Sequence, residues 1–151
     1  MDFSLSADQR ELTEAATDFA RRELNRDLAK REDAGEFPRE AWQACARFGV
    51  QGLPVPAELG GAGADVVTTA LAMEALGYGC QDNGLLFSLN AQMWSVELPL
   101  MIFGTPAQQR AYLPGMVSGQ VIGAHAMTEP GSGSDALHMR LARSVAATAT
   151  S

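Results

Sequence analysis

Cysteine and histidine are scarce in this chain, with two of each among 151 residues. Cys45 and Cys80 are too few for a disulfide framework, and with His125 and His138 they form no zinc-ligand spacing. They read as two buried free thiols in a reducing compartment, which places the protein in the cytoplasm. Basic residues are also in deficit. Eleven Lys and Arg against eighteen Asp and Glu leave a net charge of −7, and such a surface repels nucleic acid and anionic lipid. The opening residues, Met1 to Arg10, lack the basic stretch and apolar run of a secretory signal. A membrane span is missing too. The most apolar stretch, Leu85 to Phe103, contains Asn90, Gln92, Glu97 and Pro99. A carboxylate near the bilayer centre is too costly there, so this stretch reads as a buried helix.

What is present suits a folded domain. Hydrophobic residues make up 46% and charged residues 19%, the balance of a globular chain rather than a disordered one. Ser6 to Gln9 forms a capping box, and Leu12, Ala16, Phe19, Ala20, Leu24 and Leu28 follow at helical spacing. The pattern predicts a first helix that frays through Lys30 to Asp33 and ends before Gly35. Pro38 suits the first turn of a second helix with Ala41, Trp42, Cys45 and Phe48 inward and Gly49 as its stop. Gly52 to Gly63 is rich in proline and glycine, which excludes a helix or strand interior. It is too apolar to be an exposed linker.

Asp65 can cap a third helix that buries Val66 or Val67, Ala70, Leu71, Met73 and Leu76. Asn83 can cap a fourth, which is apolar nearly all round and is interrupted at Pro99. Thr105 to Gln108 is a second capping box, opening a short helix that stops near Pro114 and Gly115. After Gln120 the pattern changes. Val121 to Met127 reads as a strand, and Thr128 to Asp135 as a turn-rich loop. The glycines of this loop allow consecutive main-chain N–H groups to converge as an anion nest, with Thr128, Ser132 and Ser134 adding hydroxyls. His125 reads as a structural strand residue, and His138 as a surface residue with no recognisable partner. The tail from 144 onward has no large side chain to anchor it and reads as disordered.

The segment Ala126-Met127-Thr128-Glu129-Pro130-Gly131-Ser132-Gly133-Ser134-Asp135 resembles the signature with which acyl-CoA dehydrogenases enter their flavin-binding middle domain. Other segments resemble the same family in the same order: Phe3 to Arg10, Gly52 to Gly63, Phe103-Gly104-Thr105 with Gln108 and Gln109, and Tyr112-Leu113-Pro114. The resemblance runs from residue 3 to about 140. It implies a mainly α fold: an N-terminal helical bundle over 1–120, then the first strand of a truncated β-domain over 121–143, and the tail 144–151.

The activity implied is FAD-dependent α,β-dehydrogenation of an acyl-CoA thioester by a protein that pairs with copies of itself or with a partner chain. The resemblance places Met127, Thr128, Gly133 and Ser134 on FAD, and Ser134 also near the CoA. Met93, Trp94 and Leu98 are placed toward the acyl group. A Trp at 94 suggests a short or unusual acyl group. An aromatic is usual where this chain has His125. Nothing after Arg143 matches, and none of Glu74, Glu97 and Glu129 lies in a motif expected of the catalytic base. No catalytic residue is therefore assigned, and the chain is expected to be inactive alone. The alternative is a non-catalytic helical module on the same scaffold that binds a partner.

Overall fold

A computed structural model describes residues 4–140. The expected tail, Phe3 and the last residues of the expected β-segment lie outside the described residues. The mainly helical class holds. Helix α1, Ala7–Glu23, opens on the expected capping box: Ser6 Oγ accepts from the Gln9 N–H at 3.1 Å, and Gln9 Oε1 accepts from the Ser6 N–H at 3.0 Å. Ala16, Phe19 and Ala20 are buried, with Leu24 just beyond them.

The helix does not continue toward Gly35 as the periodicity predicts. It breaks at Asp27, whose φ of 52° is left-handed, and α2 runs separately over Leu28–Ala34. The physical reason is Asn25. Its side chain donates to the Gly79 carbonyl at 2.8 Å and accepts from the Gln81 N–H at 2.7 Å, so the chain turns aside to make a tertiary contact. Helix α3, Arg39–Phe48, buries Ala41, Trp42 and Cys45 and ends at Gly49. Pro38 stands just before its first residue rather than within it. Phe48 stacks on Phe19 with ring centroids 4.4 Å apart. Cys45 and Cys80 are buried free thiols, and burial together with the neighbouring Cys80 pushes the Cys45 thiol up to about 12. The glycine-rich loop is folded on itself, with Ala62 donating to the Gly52 carbonyl at 2.8 Å and Val55 fully buried.

Helix α4, Val66–Gly79, is capped by Asp65, whose Oδ1 accepts from the Thr68 N–H at 2.6 Å. Its buried face is Thr69, Ala72, Met73, Ala75, Leu76 and Gly79, while Val66, Val67 and Ala70 are exposed. The expected face is thus rotated. Thr69 points inward because its hydroxyl is satisfied locally by the Asp65 carbonyl at 2.9 Å. Helices α1 and α4 run parallel, pinned by Gln9 Nε2 to Thr68 Oγ1 at 3.0 Å, Thr17 Oγ1 to the Ala75 carbonyl at 3.2 Å, and the Asn25 contact. They approach most closely at Gly79, where a Cβ would lie 2.6 Å from the Thr17 carbonyl oxygen and 2.7 Å from Ala20 Cβ.

Helix α5, Asn83–Gln92, is capped by Asp82 rather than Asn83: Asp82 Oδ1 accepts from the Leu85 N–H at 2.9 Å. It buries Leu85, Leu89 and Gln92, but Phe87 is 74% exposed, so the helix is less enclosed than its composition suggests. The helix then widens into a π-turn over Met93–Glu97 before α6, Leu98–Phe103. Pro99 accounts for the widening, since it lacks an N–H and its ring crowds the carbonyl four residues back; an extra residue in the turn relieves both. Helix α7, Pro106–Val117, opens on the expected Thr105–Gln108 box and continues through Pro114 rather than stopping there.

The π-turn encloses a carboxyl. Glu97 is fully buried; Gln92 Nε2 donates to its Oε1 at 2.8 Å, and its Oε2 has no partner among the described residues. Burial pushes this carboxyl up to about 7, against a smaller lowering by the Gln92 bond.

Two measurements follow from this packing. Gly79→Ala forces a methyl against backbone and lowers the unfolding free energy in urea by about 1–3 kcal/mol. The second concerns Glu97. Between its ordinary value of 4.5 and about 7, the folded state keeps a proton that the unfolded chain releases. Stability therefore falls as pH rises through that window and levels off above it, by at most about 3 kcal/mol. Urea titrations at roughly pH 4 and pH 8 read the difference, and Glu97→Gln removes most of it. An unchanged pH dependence in that variant would show that Glu97 titrates normally.

Candidate functional site

The segment after α7 carries the candidate site. Val121 donates its N–H to the Gly115 carbonyl at 2.9 Å, which turns the chain back across the last turns of α7. Residues 121–127 then run without regular structure. The expected strand has no ladder, because a strand exists only as part of a pair and the described residues supply no second strand. What holds this segment beyond the Val121 bond is the Gly123 N–H, which donates to Gln92 Oε1 at 2.9 Å. His125 is exposed and lines an open groove of about 440 Å³ with Val96, Pro99, Phe103, Tyr112 and Ala124.

Thr128 to Asp135 closes as a turn. Glu129 and Ser132 exchange both main-chain bonds, at 2.9 and 3.1 Å, around Pro130 and Gly131. Neither Gly131 nor Gly133 has a positive φ, so the alternating right- and left-handed pattern of a nest is not formed. The Ser132 hydroxyl is also committed: it donates to the Asp135 carbonyl at 2.6 Å. Two of the three expected hydroxyls stay available. Thr128 and Ser134 are exposed and make no hydrogen bond among the described residues, and a Cβ at Gly131 or Gly133 would meet nothing within 4 Å. Met127 is 41% exposed. The Glu129 carboxylate accepts from the Arg140 N–H at 2.9 Å, folding the loop into a shallow bowl with Ser132, Asp135 and His138. His138 is at the surface but has a partner after all, with Nδ1 2.7 Å from Asp135 Oδ1.

The loop therefore offers unpaired donors (two hydroxyls and the main-chain N–H groups of Gly131, Gly133 and Ser134) beside backbone that no side chain shields. That donor set fits the polar edge of a flavin or a phosphate. The three acyl-side candidates are placed less uniformly. Met93 is fully buried in the core beside Leu85, Leu89 and Leu76. Trp94 is half-buried, its indole N–H donating to Asn90 Oδ1 at 3.0 Å, and Leu98 is half-buried. None of the three lines the groove beside Ala124 and His125. Among the described residues no group of His, Cys, Asp and Glu could hold a metal ion, and no helix is long and apolar enough to cross a membrane.

Gln92 and Gly123 are the members of this site that sequence reasoning missed. One signal existed: Gln92 and Glu97 interrupt the most apolar stretch of the chain five residues apart. On a regular helix that separation points them about 140° apart, and only a π-turn brings them together.

Comparison with known proteins places these features in a family. The model for "Acyl-CoA dehydrogenase, N-terminal domain" matches residues 6–120. The probable acyl-CoA dehydrogenase YngJ of Bacillus subtilis (strain 168) is 35% identical over 136 residues, 90% of this chain and 35% of that protein. The crystal structure of the prolyl acyl carrier protein oxidase AnaB is 44% identical with a TM-score of 0.87, over 91% of this chain and 36% of that one. The FAD complex of PigA is 39% identical with a TM-score of 0.86, over 92% and 36%. The chain thus spans about 35% of the length of the curated relative it matches. By the matched helical domain and these likenesses, the chain belongs to the acyl-CoA dehydrogenase family.

Proposed function

We propose that this chain carries the helical domain and the flavin-contacting loop of an FAD-dependent dehydrogenase acting on an acyl thioester. The observation that carries the reading is the loop itself, with Thr128 and Ser134 holding free hydroxyls beside unshielded Gly131 and Gly133. Thr128 serves the flavin ring edge through its hydroxyl and main chain, Met127 the pyrimidine side through its backbone, and Gly133 and Ser134 the pyrophosphate or the CoA. FAD, when bound, takes up the hydride that leaves the acyl β-carbon as the α-proton is removed. The likeness to the FAD complex of PigA supports this cofactor.

The acyl group is small. Trp94, held by Asn90, and Leu98 support a compact substrate over a long chain, with Met93 behind them. The likeness to a prolyl acyl carrier protein oxidase favours the same size class. No described residue is assigned as the base: Glu97 is enclosed and bonded to Gln92. The exposed Phe87, Ile102, Phe103 and Tyr112 support association with a second copy or a partner chain. The buried thiols and the acidic surface suit a cytoplasmic location.

The reading predicts weak FAD binding and no turnover by this chain alone. A few hydrogen bonds of roughly 0.5–1.5 kcal/mol each fall well short of the ~8 kcal/mol of a micromolar complex. The remainder comes from the part of the relatives that this chain does not span. Equilibrium titration with FAD is expected to give a dissociation constant far above micromolar. Thr128→Ala combined with Ser134→Ala abolishes it without changing the helical circular dichroism. Electron transfer from acyl-CoA thioesters to an artificial acceptor stays at the no-protein level. Tight FAD binding, or binding that survives the double substitution, would place the site elsewhere.

A further inference from the structure

We propose that Gln92 is a positioning residue: its side-chain amide fastens the segment leading to Thr128 onto the helical body, and Glu97 holds the other end of that amide in place. The amide makes two bonds of opposite sense. Its Nε2 donates to Glu97 Oε1 at 2.8 Å, and its Oε1 accepts from the Gly123 N–H at 2.9 Å. A main-chain N–H only donates, so a flipped amide would set its NH₂ against the Gly123 N–H, while in the observed orientation Glu97 Oε1 takes up the Nε2 donor. One orientation satisfies both ends. Gln92 is 1% exposed and Glu97 0%, so water does not compete for the bond between them, while the Gly123 end is half-buried.

A side chain at position 123 would crowd this contact. A Cβ there would lie 2.8 Å from Val96 Cγ1 in the π-turn and 3.1 Å from Met116 Cε in α7. Beyond it, residues 124–128 make no hydrogen bond among the described residues. The Gly123 bond is therefore the last tether before Thr128, five residues away, and it limits the reach of Thr128 to about 17 Å. The π-turn does not merely accommodate Pro99. By bringing residues 92 and 97 together it creates the acceptor that holds the Gln92 amide. Only the functional consequence, a placed Thr128, rests on the flavin reading of the loop; the tether itself is a property of this chain and is tested without FAD.

The test is amide hydrogen exchange by NMR on the full chain, with global stability followed in urea. In Gln92→Met, which keeps the bulk and loses the amide, the Gly123 N–H exchanges roughly 3- to 10-fold faster. Glu97→Leu gives the same acceleration, although Glu97 does not touch Gly123. Glu97→Gln retains an acceptor for Gln92 Nε2 and restores near-normal exchange at Gly123. Core amides of α4 change only as far as the global stability read in urea changes. Normal Gly123 protection in a folded Glu97→Leu overturns the proposal, as does equal acceleration of Gly123 and the α4 core. Should Glu97→Leu fail to fold, unchanged Gly123 exchange in Gln92→Met, or lost protection in Glu97→Gln, overturns it as well. An FAD titration on the same samples is read separately: failure of FAD to bind the wild type would remove the flavin reading and leave the exchange result standing.

Discussion

The close approach of α1 and α4 at Gly79 is the contact from which the rest of the helical body follows. With no side chain at this position, the backbone of α4 reaches Thr17 and Ala20, and the two helices run parallel in tight register. That register brings the end of α4 beside Asn25, whose side chain takes up the Gly79 carbonyl and the Gln81 N–H. Asn25 can do this only by leaving the α1 ladder, so α1 stops and Asp27 takes the left-handed turn into α2. The consequence carries one step further. Asp82, next in the chain, caps α5 with one carboxylate oxygen and pairs with Arg31 of α2 at 3.0 Å with the other. This pair is largely enclosed, and removing either partner would leave the other charge uncompensated in a poorly solvated place.

A second constraint acts on the α5–α6 unit. Proline at 99 is incompatible with an undisturbed helix through residue 95, and the chain resolves the conflict by inserting a π-turn. That turn carries a fully buried carboxyl whose one recorded partner is the Gln92 amide. Burial disfavours the charge, and the Gln92 donor offsets only part of that cost, which is why the carboxyl sits near 7 rather than in the usual range. An apolar residue would pack there at less expense. What the polar pair supplies instead is a hold on the amide NH₂, while the Gly123 N–H, which only donates, fixes which way the amide faces.

Local signals read well from the sequence and tertiary ones poorly. The capping boxes at Ser6 and Thr105 and the Asp65 cap are decided within four residues, and all are present. The stop at Gly49 is equally local. The break at Asp27 depends on atoms far away in sequence, the Gly79 carbonyl and the Gln81 N–H that Asn25 takes up. The apolar residues predict a face with Ala70 inward; Thr69 is buried instead, its hydroxyl satisfied by the helix's own backbone. The strand over 121–127 failed for a different reason. Alternation and β-branching describe a surface that fits a sheet, and they cannot provide the neighbouring strand. In the loop, residue types identified Thr128 and Ser134, but nothing in the spelling showed that Ser132 would spend its hydroxyl on Asp135.

The helical body and the loop differ in how their polar groups are settled. In the body, buried donors are largely paired, down to Asn25, Thr17 and Gln51, the last through the Trp42 carbonyl at 3.0 Å. Across 124–134 the pairing thins to the Glu129–Ser132 turn, the Glu129 carboxylate and the Ser132 hydroxyl, while Thr128 and Ser134 face water. Groups that already hold water lose little by exchanging it for a ligand, whereas groups committed to the fold would have to break a bond first. Recognition by such a loop depends less on the strength of any one donor than on where the donors are held. Turn geometry fixes them relative to one another, but not relative to the helices. That second relation passes through a single main-chain N–H at Gly123 and the amide of Gln92, and so through the carboxyl that holds it.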